Sequence, residues 1–158
     1  MQNVPEITFS DDFPLALRTE VEDLLAPFVF LVRELRTVQV ALKGASAEVD
    51  GEAAIRVLRR YHTAHLWLDP DFWSLPFEEK ERTILHELFH IVTNTYTREI
   101  HRLLTSEGYE EDSFVADVLE DAEETLVDRL AWDFYDVLTA QRKMDRLQKV
   151  RPPKESSK

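Results

Sequence analysis

Three features of the sequence predict an α+β domain: an amphipathic segment near the amino terminus, a central block of alternating residues, and two long helical stretches after Ser74. From Phe13 to Leu25 the apolar positions Leu15, Leu17, Val21, Leu24 and Leu25 recur at helical spacing. Between Thr37 and Leu68 the period changes to two, which marks strands. The expected order is an N-terminal helix, a three-stranded, mostly antiparallel sheet, a helix bearing two histidines, and a long C-terminal helix.

Met1 to Asp12 is polar and is expected to attach loosely. Pro27 interrupts the first helix, and the apolar run Phe28–Val32 either continues it or begins the sheet. Val38, Val40 and Leu42 alternate with Thr37, Gln39 and Ala41, and Gly44 ends the run. Asp50-Gly51 signals a turn before a second strand, Ala54 to Leu58. Arg59-Arg60 would connect it tightly to a third, Tyr61 to Leu68, giving a meander in which Ala64, Leu66 and Leu68 share a face.

Asp69-Pro70-Asp71 closes the sheet, and Ser74 is the expected N-cap of the next helix, with Glu78, Glu79 and Glu81 favoured by its dipole. Its apolar stripe is Ile84, Leu85, Leu88, Ile91 and Val92, and its end is expected between Asn94 and Leu104, before a Thr105–Gly108 loop. Asp112-Ser113 then caps a helix whose period runs from Val115 through Leu138 into the 140s. Residues 1–150 are expected to form one domain, and 151–158, rich in Pro, Lys and Ser, read as a disordered tail.

Composition excludes several classes of function. The chain of 158 residues carries a formal charge of −12, which repels phosphate backbones and anionic lipids, so no nucleic-acid or membrane partner is expected. No apolar run is long enough to span a bilayer, no cysteine occurs, and Met1 to Glu6, lacking a basic region and an apolar block, is not expected to act as a secretory leader. A cytoplasmic location is the simplest expectation.

The chemistry concentrates in His86-Glu87-Leu88-Phe89-His90. Four residues apart on a helix, His86 and His90 project side by side and can share one Zn²⁺, with Glu87 beside the open position as general base toward a metal-activated water. A catalytic zinc needs a third protein ligand. His101 lies eleven residues beyond His90, but no glycine turn brings it back. Glu107 to Asp133 holds eleven acidic residues against one basic residue, and within it Glu124 and Asp128 are four apart on one helix face. Glu124 can ligate while Asp128 accepts the second N–H of a histidine ligand; Glu123 and Glu120 remain alternatives for the third ligand.

His86-Glu87-Leu88-Phe89-His90 followed by Glu124-x-x-x-Asp128 resembles the gluzincin metallopeptidases, and Glu124 to Ala131 is similar to small intracellular zincins of phage and bacterial regulatory systems. The resemblance covers roughly Thr37 to Leu138. It implies a zincin-like fold and a zinc-dependent peptidase: His86, His90 and Glu124 as metal ligands, Glu87 as catalytic base, Asp128 supporting a histidine. It also implies a peptide or protein substrate bound as an extended strand, received by the strand before the histidine helix, Tyr61 to Leu68. Trp67 and Trp73 are candidates to line the cleft. His65, Tyr96, His101, Tyr109 and Tyr135 are candidates, by residue type, for an oxyanion donor. The alternative is a non-proteolytic regulatory or binding protein with a zinc site; an intact Glu87 favours the enzyme.

Overall fold

A computed structural model of the chain describes residues 4–42, 52–58, 62–110 and 113–150. Gly44, Asp50-Gly51, Arg59-Arg60, Tyr61, Asp112 and the expected tail at 151–158 lie outside them. The α+β class holds, with three α-helices, α1 (Leu15–Leu25), α2 (Phe77–Ser106) and α3 (Phe114–Val150), among the described residues. The sheet is a correction. Among the described residues it has four strands, β1 (Glu6–Phe9), β2 (Thr37–Leu42), β3 (Ala53–Leu58) and β4 (Thr63–Leu68), in the order β1-β2-β4-β3. β1 pairs parallel with β2, β2 parallel with β4, and only β3 is antiparallel to its neighbour.

Burial explains why no meander forms. Val38, Val40, Ala64, Leu66 and Leu68 are almost wholly buried, so β2 and β4 take the centre. β3, with Arg56 exposed in mid-strand, goes to the edge, where a charged residue is tolerated. β1 comes from the stretch expected to attach loosely. Four residues with two apolar side chains, Ile7 and Phe9, suffice because β2 supplies the pairing.

Phe28–Val32 neither continues α1 nor enters the sheet; Val29–Val32 is a 3-10 turn with Val32 buried. Ser74 does not cap α2. It ends a 3-10 turn, Pro70–Ser74, and the extended Leu75-Pro76 pair separates it from Phe77, as the restriction on a residue before proline requires. α2 runs to Ser106, past its expected end. It stops where Gly108, at φ +89°, lets the Gly108 and Tyr109 amides donate to Thr105 and Leu104 carbonyls at 3.1 and 3.0 Å. Ser113 caps α3 as expected, its Oγ accepting from the Ala116 amide at 3.4 Å.

α2 buries Ile84, Leu85 and Leu88 in a core shared with the sheet, with Val21, Leu24 and Leu25 of α1, and with Val127 and Ala131 of α3. Glu81, expected to serve the helix dipole, is only 2% exposed and takes a bidentate pair of hydrogen bonds from Arg142, both 2.8 Å. Tyr135 donates to the same carboxylate at 3.3 Å. No helix among the described residues is long and apolar enough to cross a membrane.

Arg142→Ala strands the buried Glu81 carboxylate and should lower unfolding free energy by on the order of 3 kcal/mol. The pair Glu81→Gln, Arg142→Met, which leaves no charge, should lose less. Urea unfolding midpoints read both.

Candidate metal centre

On α2, Thr83, Glu87 and Ile91 form one i, i+4 line beneath the sheet edge, and His86 and His90 form a neighbouring line facing α3. On α3, Glu123, Val127 and Ala131 form the inward line, with Val127 and Ala131 buried. Glu124 and Asp128 sit one residue, about 100°, further round and reach the rim. Antiparallel packing of α2 on α3 brings the two rims together.

The resulting distances are close. His86 Nε2 and His90 Nε2 lie 3.0 Å apart, with their rings nearly perpendicular at 74°. Glu124 Oε1 is 3.3 Å from His90 Nε2, and Glu124 Oε2 is 3.5 Å from His86 Nε2. Ligand atoms about 2.0–2.1 Å from one tetrahedral ion stand about 3.3–3.4 Å apart, so these three residues fit a zinc centre. No other group of three such side chains converges in this way among the described residues.

The outer contacts fit as well. His86 Nδ1–H donates to Asp128 Oδ1 at 2.9 Å, which leaves the Nε2 lone pair facing His90 and Glu124. Burial pushes the His90 imidazole below its usual pKa of 6.5, against the opposing pull of Glu124, so the ring is neutral at pH 7. Glu123, on the inward line, lies outside this group of three. Its Oε1 accepts from Thr93 Oγ1 at 2.8 Å and lies 3.8 Å from His90 Nδ1, on the far side of the ring from Glu124. Glu120 is exposed and stays outside the group. His101 is about three turns further along α2, about 16 Å of helix from His90.

Glu87 is 7% exposed. Burial raises its carboxyl pKa to about 7; the Glu124 charge adds to the rise, and a hydrogen bond from the Ile55 main-chain amide opposes it. That bond locates the sheet edge. The Asp69 amide donates to the Glu52 carbonyl at 2.8 Å, which makes 52 and 69 a hydrogen-bonded pair. Alternation then turns Ala54, Arg56 and Leu58 toward β4, and the main-chain groups of Ala53, Ile55 and Val57 away from it. The strand bordering the site is therefore β3. β4, the strand expected there, is interior and has both sides paired.

A cleft of about 510 Å³ opens beside Glu87 and His86, walled by Ala53 of β3, Arg82 and Thr83 of α2, and Asp128 and Trp132 of α3. The Arg82 guanidinium stacks 4.3 Å over the Trp132 ring. The tryptophan of the cleft is thus Trp132. Trp67 stands beside His65 on β4, and Trp73 packs on Phe13 and Phe72. Of the residues offered as oxyanion donors, none lines this cleft; Tyr135 is committed to Glu81. Sequence reasoning missed the Ile55 amide, the Thr93–Glu123 bond, and Arg82 on Trp132. Only the last had a signal, Trp132 lying four residues beyond Asp128 on the same helix face.

Family models, curated proteins and solved structures give no match to the chain.

The geometry separates the three carboxylates by metal affinity. Glu124→Ala should weaken zinc binding at least a hundredfold, Glu123→Ala about ten- to a hundredfold, and Glu120→Ala not at all, by competition with a chromophoric chelator. Chelator-treated protein offers a second measurement. A carboxyl whose pKa rises on folding costs stability above about pH 7, and that cost disappears as pH falls below the unfolded value of 4.5. Glu87→Gln should therefore be more stable than wild type by about 3 kcal/mol at pH 8 and equal to it near pH 4.5, in urea titrations at the two values.

Proposed function

We propose that the chain is a zinc-dependent peptidase of the gluzincin type, with His86, His90 and Glu124 holding the metal and Glu87 acting as base. One observation carries this reading: Glu87 lies between a three-ligand cluster of tetrahedral spacing and the main-chain edge of β3. A structural zinc site has no use for a buried carboxylate so placed, nor for a strand edge left unpaired among the described residues.

Zinc bound there supplies Lewis acidity, which activates water and polarises a carbonyl. The rest belongs to the protein. The outward main-chain groups of Ala53 and Val57, with the Ile55 carbonyl between them, can pair with an extended peptide and lay its backbone across Glu87, which holds the Ile55 amide. The Glu87 carboxylate accepts a proton from the attacking water and returns it to the departing amine nitrogen. Its burial makes it a stronger base than an ordinary glutamate, and exclusion of solvent keeps the proton within reach of the amine. Asp128 holds His86 in one tautomer, and Thr93, through Glu123, steadies the opposite side of His90.

Zinc content and hydrolysis of a fluorogenic peptide mixture, measured in wild type and Glu87→Gln, test the reading. Equal, stoichiometric zinc in both with cleavage lost by a factor of 10² or more in the variant is expected. Zinc in both with hydrolysis in neither would favour the non-proteolytic alternative. Protein without stoichiometric zinc would defeat both.

A further inference from the structure

A second cavity, about 680 Å³, lies at the other end of β3 from the cleft. The Thr83–Glu87–Ile91 line places it: Thr83 faces the first cleft, Glu87 stands between, and Ile91 lines the second cavity one turn on. Val57 forms its edge, and Leu31, Val32, Leu35 and Val92 make its wall apolar. The charges on its rim, Arg33 and Glu34, cancel. By contrast the first cleft is lined by Glu52, Glu79, Arg82 and Asp128.

The cavity does not end at the sheet. Val92 and Tyr96 line it, and Val92, Tyr96, Ile100 and Leu103 follow one another at intervals of four, four and three on a single face of α2. All four are exposed, Tyr96 by 73% and Leu103 by 63%. The stripe is about 16 Å long. A run of large apolar side chains left in water on one helix face, continuous with an apolar cavity and a strand edge, marks a surface that something covers.

We propose that this cavity and stripe form an apolar track for the segment on the amino-terminal side of the cleaved bond, so that the substrates are chains with several apolar residues there. The inference rests on the peptidase reading. A peptide pairing antiparallel to β3, the more stable sense, runs from Val57 toward Ala53. Its amino-terminal part then lies over Val57 and continues onto α2, while its carboxyl-terminal part enters the charged cleft. From Ile55, beside Glu87, to Val57 is two residues, about 7 Å, so the cavity receives a side chain about two positions before the bond. Residues further upstream meet Tyr96, Ile100 and Leu103. Such a surface selects segments that folded proteins keep buried.

Two internally quenched peptides sharing one cleavable centre separate the outcomes, one carrying Leu and Phe at the second to sixth positions before the bond, the other Ser and Gly. Zinc-loaded wild type should cleave the apolar peptide with at least tenfold higher kcat/KM, chiefly through KM. Tyr96→Glu combined with Ile100→Glu, at positions exposed enough to spare the fold, should remove most of that preference, with circular dichroism checking that the protein remains folded. Cleavage without preference, or a preference for apolar residues after the bond, overturns the track and leaves the peptidase reading standing. A preference that survives the double substitution overturns the part played by α2. Failure of zinc-loaded wild type to cleave either peptide, or the fluorogenic mixture, brings down the peptidase reading and the track with it.

Discussion

Two amphipathic helices packed antiparallel can slide by one turn, about 5.4 Å, at modest cost to apolar contacts, because the stripe repeats nearly every turn. In this chain such a slide would carry Glu124 out of reach of both histidines. Polar ties along the α2–α3 seam prevent it. Arg142 grips the buried Glu81 at one end, Asp128 meets His86 in the middle, and Glu123 meets Thr93 at the other. The Glu81 tie is the strictest, since a carboxylate 2% exposed has no solvent to fall back on if its partner moves. Packing thus supplies adhesion between the helices, and the polar pairs supply the register on which the cluster depends.

The second requirement is an edge strand within hydrogen-bond reach of Glu87. Placing β3 outside β4 achieves this, and the Ile55 amide partly offsets the cost of keeping the glutamate away from water. The offset is incomplete, because burial and the nearby Glu124 charge still hold the pKa near 7. A site tuned only for stability would have glutamine there. Retaining a buried carboxylate raises the proton affinity of that group at the expense of the fold, a compromise expected where proton transfer matters.

What the sequence made legible follows from range. Histidines four apart on a strongly periodic helix are a local fact, and the structure places them side by side as the period requires. Glu124 and Asp128 were also readable as a pair, but choosing Glu124 over Glu123 was harder, since Glu123 lies nearer the apolar stripe. The structure turns that nearness around: an inward position commits Glu123 to Thr93, and the rim position leaves Glu124 available to both imidazoles. Strand order was not legible, because alternation assigns faces and says nothing of neighbours. Exposed Arg56 in mid-strand was the one residue that distinguished an edge from a centre. β1 was missed because four residues carry too little pattern to stand alone.

The length of α2 bears on what the site serves. Holding two histidines and a glutamate at the edge of the core needs about three turns, yet α2 has 30 residues. Its first half is accounted for by Ile84, Leu85 and Leu88 in the core. The second half begins on a seam against α3, where Thr93 meets Glu123, and its outer face is what lacks a structural reason. Polar residues on that face would raise solubility and leave the seam intact. Tyr96, Ile100 and Leu103 instead lie exposed in line with the cavity beyond Glu87, which is where the proposed track would use the extra turns.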